Sequence, residues 1–149
     1  MEHQLLSKLI LRRLGITKSY SGYDYILYGL SLIEQDELCL SSITKVLYID
    51  IAKKFQTSHS CVERNIRKVV EVIWKNNPEN KELIQQIFGS KHVVHKPTNR
   101  EFLDLLYEYV TIHSTLENLI SHHEPIQCPI SKKPCDLYGL LLPKIQPID

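Results

Sequence analysis

Long apolar runs are missing from this 149-residue chain; none approaches the roughly 20 residues a membrane-spanning helix needs. Glycine is scarce, with 5 residues, and none lies in a phosphate-cradling loop. Neither a nucleophile elbow nor an H-E-x-x-H pair occurs, and Cys and His that are neighbours in sequence do not make a catalytic dyad, so no enzyme is expected. The opening MEHQLLSKLILRRLG has its acid first and its basic pair late, the wrong order for a secretory signal, so the chain reads as cytoplasmic. In that compartment the 4 cysteines are most simply free thiols. A surplus of charge is missing too, since the net value is only +1. What is there, 43% hydrophobic and 23% charged residues, fits one globular domain with a sizeable core and a tail.

The distribution of charge says more than its sum. Residues 45–100 carry 11 Lys and Arg against 5 Asp and Glu, while the remainder carries 7 against 12. A basic middle in an acidic frame fits a nucleic-acid face better than an ordinary solvated helix surface. Inside it, residues 41–76 hold two periodic segments about a polar break, Gln56-Thr57-Ser58. With Val62 at zero and about 100° per residue, Val62, Ile66, Val69, Val70 and Ile73 fall on one stripe. Ser60, Arg64, Arg67, Glu71 and Lys75 line the other side, flanked by Glu63 and Lys68. Ala52 and Val62 stand ten apart, the spacing of a helix-turn-helix: a small residue admits the second helix and a branched one anchors it. Such a turn favours Gly four residues after the Ala, where φ is positive, and this chain has Gln56. The second helix starts either at Ser60, through an S-x-x-E capping box with Glu63, or one turn earlier at Thr57 or Ser58.

Along the rest of the chain, Leu5, Leu6, Leu9, Ile10 and Leu14 predict a first helix stopped by Gly15. A second helix opens at Ser21-Gly22 and runs to about Gln35; its tyrosines read as core rather than as a stacking platform for bases. Residues 36–40 are a loop or helix end, and 43–48 a short helix feeding the helix-turn-helix. Asn76-Asn77-Pro78 ends the second helix of the motif, and Leu83, Ile84, Ile87 and Phe88 form a short helix closed by Gly89. KHVVHK (91–96) reads as a basic loop. The last helix, 100–120, follows Pro97-Thr98-Asn99, with Thr98 either a phosphate-binding N-cap or plain loop. From residue 122 the period is lost and five of the 7 prolines appear. The expected division is therefore a helical domain, 1–121, and an extended or partly packed tail, 122–149.

Arg suits guanine because its planar fork matches two acceptors, and Glu can accept from cytosine N4. Glu63, Arg64 and Arg67 read as base readers, while Lys53, Lys54, Ser58, Lys68 and Lys96 suit phosphates. The competing chemistry is zinc, from His113, His122, His123, Cys128 and Cys135. Six residues separate Cys128 from Cys135, too many for a finger knuckle, so no metal site and no cofactor is expected.

The runs SITKVLYIDIAKKF, VER.IR, EVIW and KPTNREF resemble the DNA-binding effector domain of the stage-zero sporulation factor A family of endospore-forming Firmicutes, over about residues 5–112. The resemblance implies an all-α fold of roughly six helices containing a helix-turn-helix. It implies a transcription regulator that reads a short promoter box (a TGTCGAA-like core) in the major groove through residues 58–75, and a nucleoid-associated location. It places Glu63, Arg64 and Arg67 at the family's recognition positions, with Ser60 and Cys61 beside them. It also implies contact between the neighbourhood of residues 83–89 and the sigma subunit of RNA polymerase, and a homodimer or tandem pair on DNA. Residues 76–86 depart most from the family pattern. The chain starts at the first effector helix, so an effector without a phosphoacceptor receiver domain is expected. The alternative is a protein-interaction module or decoy, which pairs with a full-length sporulation regulator and binds DNA weakly.

The telling departure is Cys61, where the family usually has Arg. Cys cannot fork onto guanine. Cys61→Arg is expected to sharpen preference at one base pair, by about 1–3 kcal/mol. Selection of sites from random DNA measures this, and an unchanged preferred site would remove the role assigned to Cys61.

Overall fold

The computed structural model describes residues 2–122, and these residues are all-α, without a strand. α1 is Glu2–Arg13, α2 Ser21–Gln35, α3 Tyr48–Phe55, α4 His59–Lys75, α5 Asn77–Phe88, α6 Ser90–Val94 and α7 Asn99–His122. A 3-10 stretch, Glu37–Ser42, and a π turn, Ile43–Leu47, carry the chain from α2 into α3. The proline-rich segment expected at 122–149 lies, from residue 123 on, outside the described residues.

α1 ends in a Schellman motif: Gly15, at φ 89, donates to the Arg12 carbonyl, and Ile16 donates to Leu11 across the last turn. The buried face of α1 is not quite the expected stripe. Ser7, Ile10, Leu11 and Leu14 face inward, whereas Leu5 and Leu9 stand 62% and 50% exposed. Two neighbouring arcs of this helix are apolar, and packing against α7 and α2 uses only one of them. Ser7 is tolerated inside because its hydroxyl donates 2.6 Å to the His3 carbonyl.

α2 is the central rod, packed on α1, α3, α4 and α7. Its tyrosines serve the core: Tyr23 and Tyr25 are buried, and Tyr25 and Tyr28 pack against Phe55 with ring centroids 5.1 and 5.8 Å apart. Gly22 permits the close approach of α2 to α4. A Cβ there would clash with the Asn65 carbonyl oxygen and lie 2.6 Å from Val69 Cγ2.

The far end of α4 is anchored by Trp74, whose ring meets Phe88 and Phe102 at 5.1 and 6.2 Å. The Trp74 indole donates 2.6 Å to the His92 carbonyl. That bond explains the main correction to the expected topology: 91–96 is not a plain basic loop, because Ser90–Val94 forms a helical turn with His92 buried. Asn80 closes the same region, donating to the Ile73 and Leu14 carbonyls.

Gly22→Ala is expected to lower stability by about 1–3 kcal/mol, the usual penalty for forcing a methyl into a packed contact. A lower urea midpoint at unchanged slope would show it. An unaltered midpoint would mean that α2 and α4 are not held as close as described.

Candidate nucleic-acid interface

The helix-turn-helix consists of α3, a three-residue turn and α4. Gln56 occupies the left-handed region at φ 54, ψ 50, where Gly was the favoured residue. It is the one non-glycine with positive φ among the described residues. A side chain in that conformation costs roughly 1–2 kcal/mol. The compensation is local: the Gln56 and Thr57 amides both reach the Ala52 carbonyl. Ala52 and Val62 are both buried, as the ten-residue spacing requires.

Of the starts open to α4, the chain takes Ser58. Its hydroxyl oxygen accepts 3.1 Å from the Cys61 amide, in extended backbone at φ −93, ψ 155. Ser60 is therefore inside the helix, and the Ser60–Glu63 capping box does not form. The sides of α4 then divide as the periodicity predicts. Val62, Ile66, Val69, Val70 and Ile73 are fully buried, while Ser60, Arg64, Arg67, Lys68 and Glu71 are exposed.

The two edges of that open face differ. On one, Glu63 pairs with Arg67 at 3.2 Å, and the two side chains are 38% and 51% exposed. An exposed pair of this kind adds little stability, but it holds a carboxylate and a guanidinium side by side. The Asn99 carboxamide, at the start of α7, donates to the Glu63 backbone carbonyl and to the Tyr48 hydroxyl. A cleft of about 440 Å³ opens here, walled by Glu63, Arg67, Lys96, Thr98 and Arg100. On the other edge Cys61 is half-buried, its sulfur 3.3 Å from the Asn65 amide. The Thr57 hydroxyl holds the Cys61 thiol below its ordinary range against the effect of burial, with Arg64 assisting.

The cations assigned to phosphates surround this face. Lys53 and Lys54 are exposed at the end of α3, and Lys54 lies 5.9 Å over the Tyr28 ring. Lys96 reaches the C-terminal half of α4, 3.8 Å from Glu71. Thr98 turns out to be structural. Its hydroxyl accepts from the Glu101 amide while the Glu101 carboxylate accepts from the Thr98 amide. These bonds hold Glu101 below the usual carboxylate range and set its carboxylate against the first turn of α7. The T-x-x-E pattern at 98–101 was the signal for this box. Among the described residues no group of three or more His, Cys, Asp or Glu could hold a metal ion, and His123, Cys128 and Cys135 lie outside them. No described helix is long and apolar enough to cross a membrane.

A helix-turn-helix with a buried apolar stripe and an open face carrying Arg64, Arg67 and Lys68 defines the class: an all-α nucleic-acid-binding domain. Residues 8–110 match the family model described as Sporulation initiation factor Spo0A C terminal. The chain belongs to that family. It is a DNA-binding domain of the sporulation-regulator type, and the family is a regulatory rather than an enzymatic one.

Mutation can separate the cap that Ser58 makes from the phosphate contact expected of it. Ser58→Ala is expected to cost about 1 kcal/mol of stability through the lost cap. Ser58→Asp should keep the cap but set a carboxylate where a phosphate would dock. Thermal melting and duplex binding, measured together, should show S58A losing stability and S58D losing affinity. Full binding by a stable S58D would take Ser58 out of the interface.

Proposed function

We propose that this chain is a sequence-specific transcription regulator that reads a short promoter box in the major groove with residues 58–75. The supporting observation is the open face of α4, where Ser60, Arg64, Arg67 and Lys68 stand exposed while the opposite stripe is buried. At about 1.5 Å per residue the 17-residue helix is long enough to lay its N-terminal half along a groove about 12 Å wide. Glu63, Arg64 and Arg67 address base edges, with Ser60 and Cys61 alongside. Lys53, Lys54, Ser58, Lys68 and Lys96 address the phosphates. Residues 1–121 constitute the binding domain, working in the cytoplasm at the nucleoid as a homodimer or tandem pair. The surface around α5 meets the sigma subunit of RNA polymerase.

A second reading, a decoy that pairs with a full-length sporulation regulator, draws on two observations. Cys61 offers no bidentate donor, and Arg67 already spends part of its fork on Glu63.

Salt titration with box-containing and scrambled duplexes separates the two. A regulator is expected to show a steep fall of log affinity with log salt together with a preference for the box. Arg64→Ala should cost about 1–3 kcal/mol on the box, and Lys68→Ala should weaken both duplexes and flatten the salt slope by about one. A shallow slope without preference would favour the decoy.

A further inference from the structure

Asn99 is the first residue of α7 and is half-buried. Its Nδ2 donates 3.0 Å to the Tyr48 hydroxyl and 3.1 Å to the Glu63 carbonyl. A carboxamide nitrogen has two protons, so this group spends its donors on both helices of the helix-turn-helix. The Tyr48 leg has an ordinary explanation, since a hydroxyl on a residue only 3% exposed needs a partner. The Glu63 leg does not. A carbonyl in mid-helix already accepts from the amide four residues on. The Glu63 carbonyl therefore has no need of the extra bond, which fixes the position of α4 against α7.

It fixes the turn that matters. Glu63 and Arg67 are one turn apart and joined by their ion pair, and Asn99 grips the backbone between α4 and α7 at that level. The apolar stripe beneath α4 resists lifting but is non-directional, so it constrains roll and axial slip weakly. A hydrogen bond is directional and constrains both. Bidentate base contacts tolerate only about half an ångström of error, whereas a phosphate contact by a flexible Lys tolerates more.

We propose that Asn99 is a positioning residue for base reading: it sets the roll and register of α4, and so governs discrimination between DNA sequences more than affinity for DNA. The inference rests on the reading of Glu63 and Arg67 as base readers. It is tested by fluorescence anisotropy with Asn99→Ala, Asn99→Asp and Tyr48→Phe on box-containing and scrambled duplexes, with circular dichroism melts alongside. For N99A the ratio of the two Kd values is expected to fall about tenfold, the size of one lost base contact, with scrambled-duplex affinity and salt slope nearly unchanged. N99D keeps the shape but loses both donors, and the effect of its added charge cancels in the ratio, which should fall likewise. Y48F keeps the Glu63 leg and should keep the ratio. Equal losses on both duplexes, or an unchanged ratio in N99A and N99D, overturn the proposal. A wild-type chain without any preference removes the base-reading assignment itself and this inference with it, whereas a discriminating wild type with equally discriminating variants overturns this inference alone.

Discussion

Burial of one side of α4 is the constraint from which the rest of the structure follows. Val62, Ile66, Val69, Val70 and Ile73 are taken out of water together, and each such side chain contributes roughly 1.5–3 kcal/mol. That stripe must be covered from several directions, and it is: α2 approaches through Gly22, α3 through Ala52, and α5 to α7 close around Trp74. The exposed cations are a by-product of the same geometry. A helix with 3.6 residues per turn cannot turn its stripe inward without turning Arg64, Arg67 and Lys68 outward.

Holding that helix has a cost at the turn. Three residues must reverse the chain between α3 and α4, and Gln56 adopts the left-handed conformation without glycine's freedom. The strain is tolerated because both flanks are fixed independently. Phe55 is wedged between Tyr25 and Tyr28, and Ser58 caps α4. A local preference gives way here to contacts among residues far apart in sequence.

The same distinction separates what was legible in the sequence from what was not. The stripe of α4, the Ala52–Val62 spacing, the Gly15 stop and the Pro78 break are local patterns, and the structure follows them. The α1 stripe was misplaced by one arc, because Leu5 and Leu9 look as apolar as Ile10 and only the packing of α7 and α2 chooses between them. α6 leaves no mark in the sequence because five residues carry no period; its order comes from the Trp74 bond to His92, 18 positions away. Asn99 was invisible for a like reason, since its partners are 36 and 51 residues distant. Base-reading candidates are chosen by residue type and helical angle, both local. Their supports are tertiary and leave no such trace.

Under the proposed reading the two edges of α4 do unequal work. At the Glu63 edge, α7 supplies a directional tether and the readers form a pair held side by side. At the Cys61 edge, a thiol is half-buried toward Tyr25 and Thr57. The thiol makes its hydrogen bonds within the protein, to Asn65 and Thr57, and presents no fork to a base. Sequence information should therefore enter through Glu63 and Arg67 at the one edge and Arg64 on the open face between them and Cys61, while Cys61 itself contributes packing. The two edges are also held differently: the Glu63 edge is cross-braced to α3 and α7 through Asn99, and the Cys61 edge by the close approach at Gly22 and by the contacts of Cys61 with Tyr25 and Thr57.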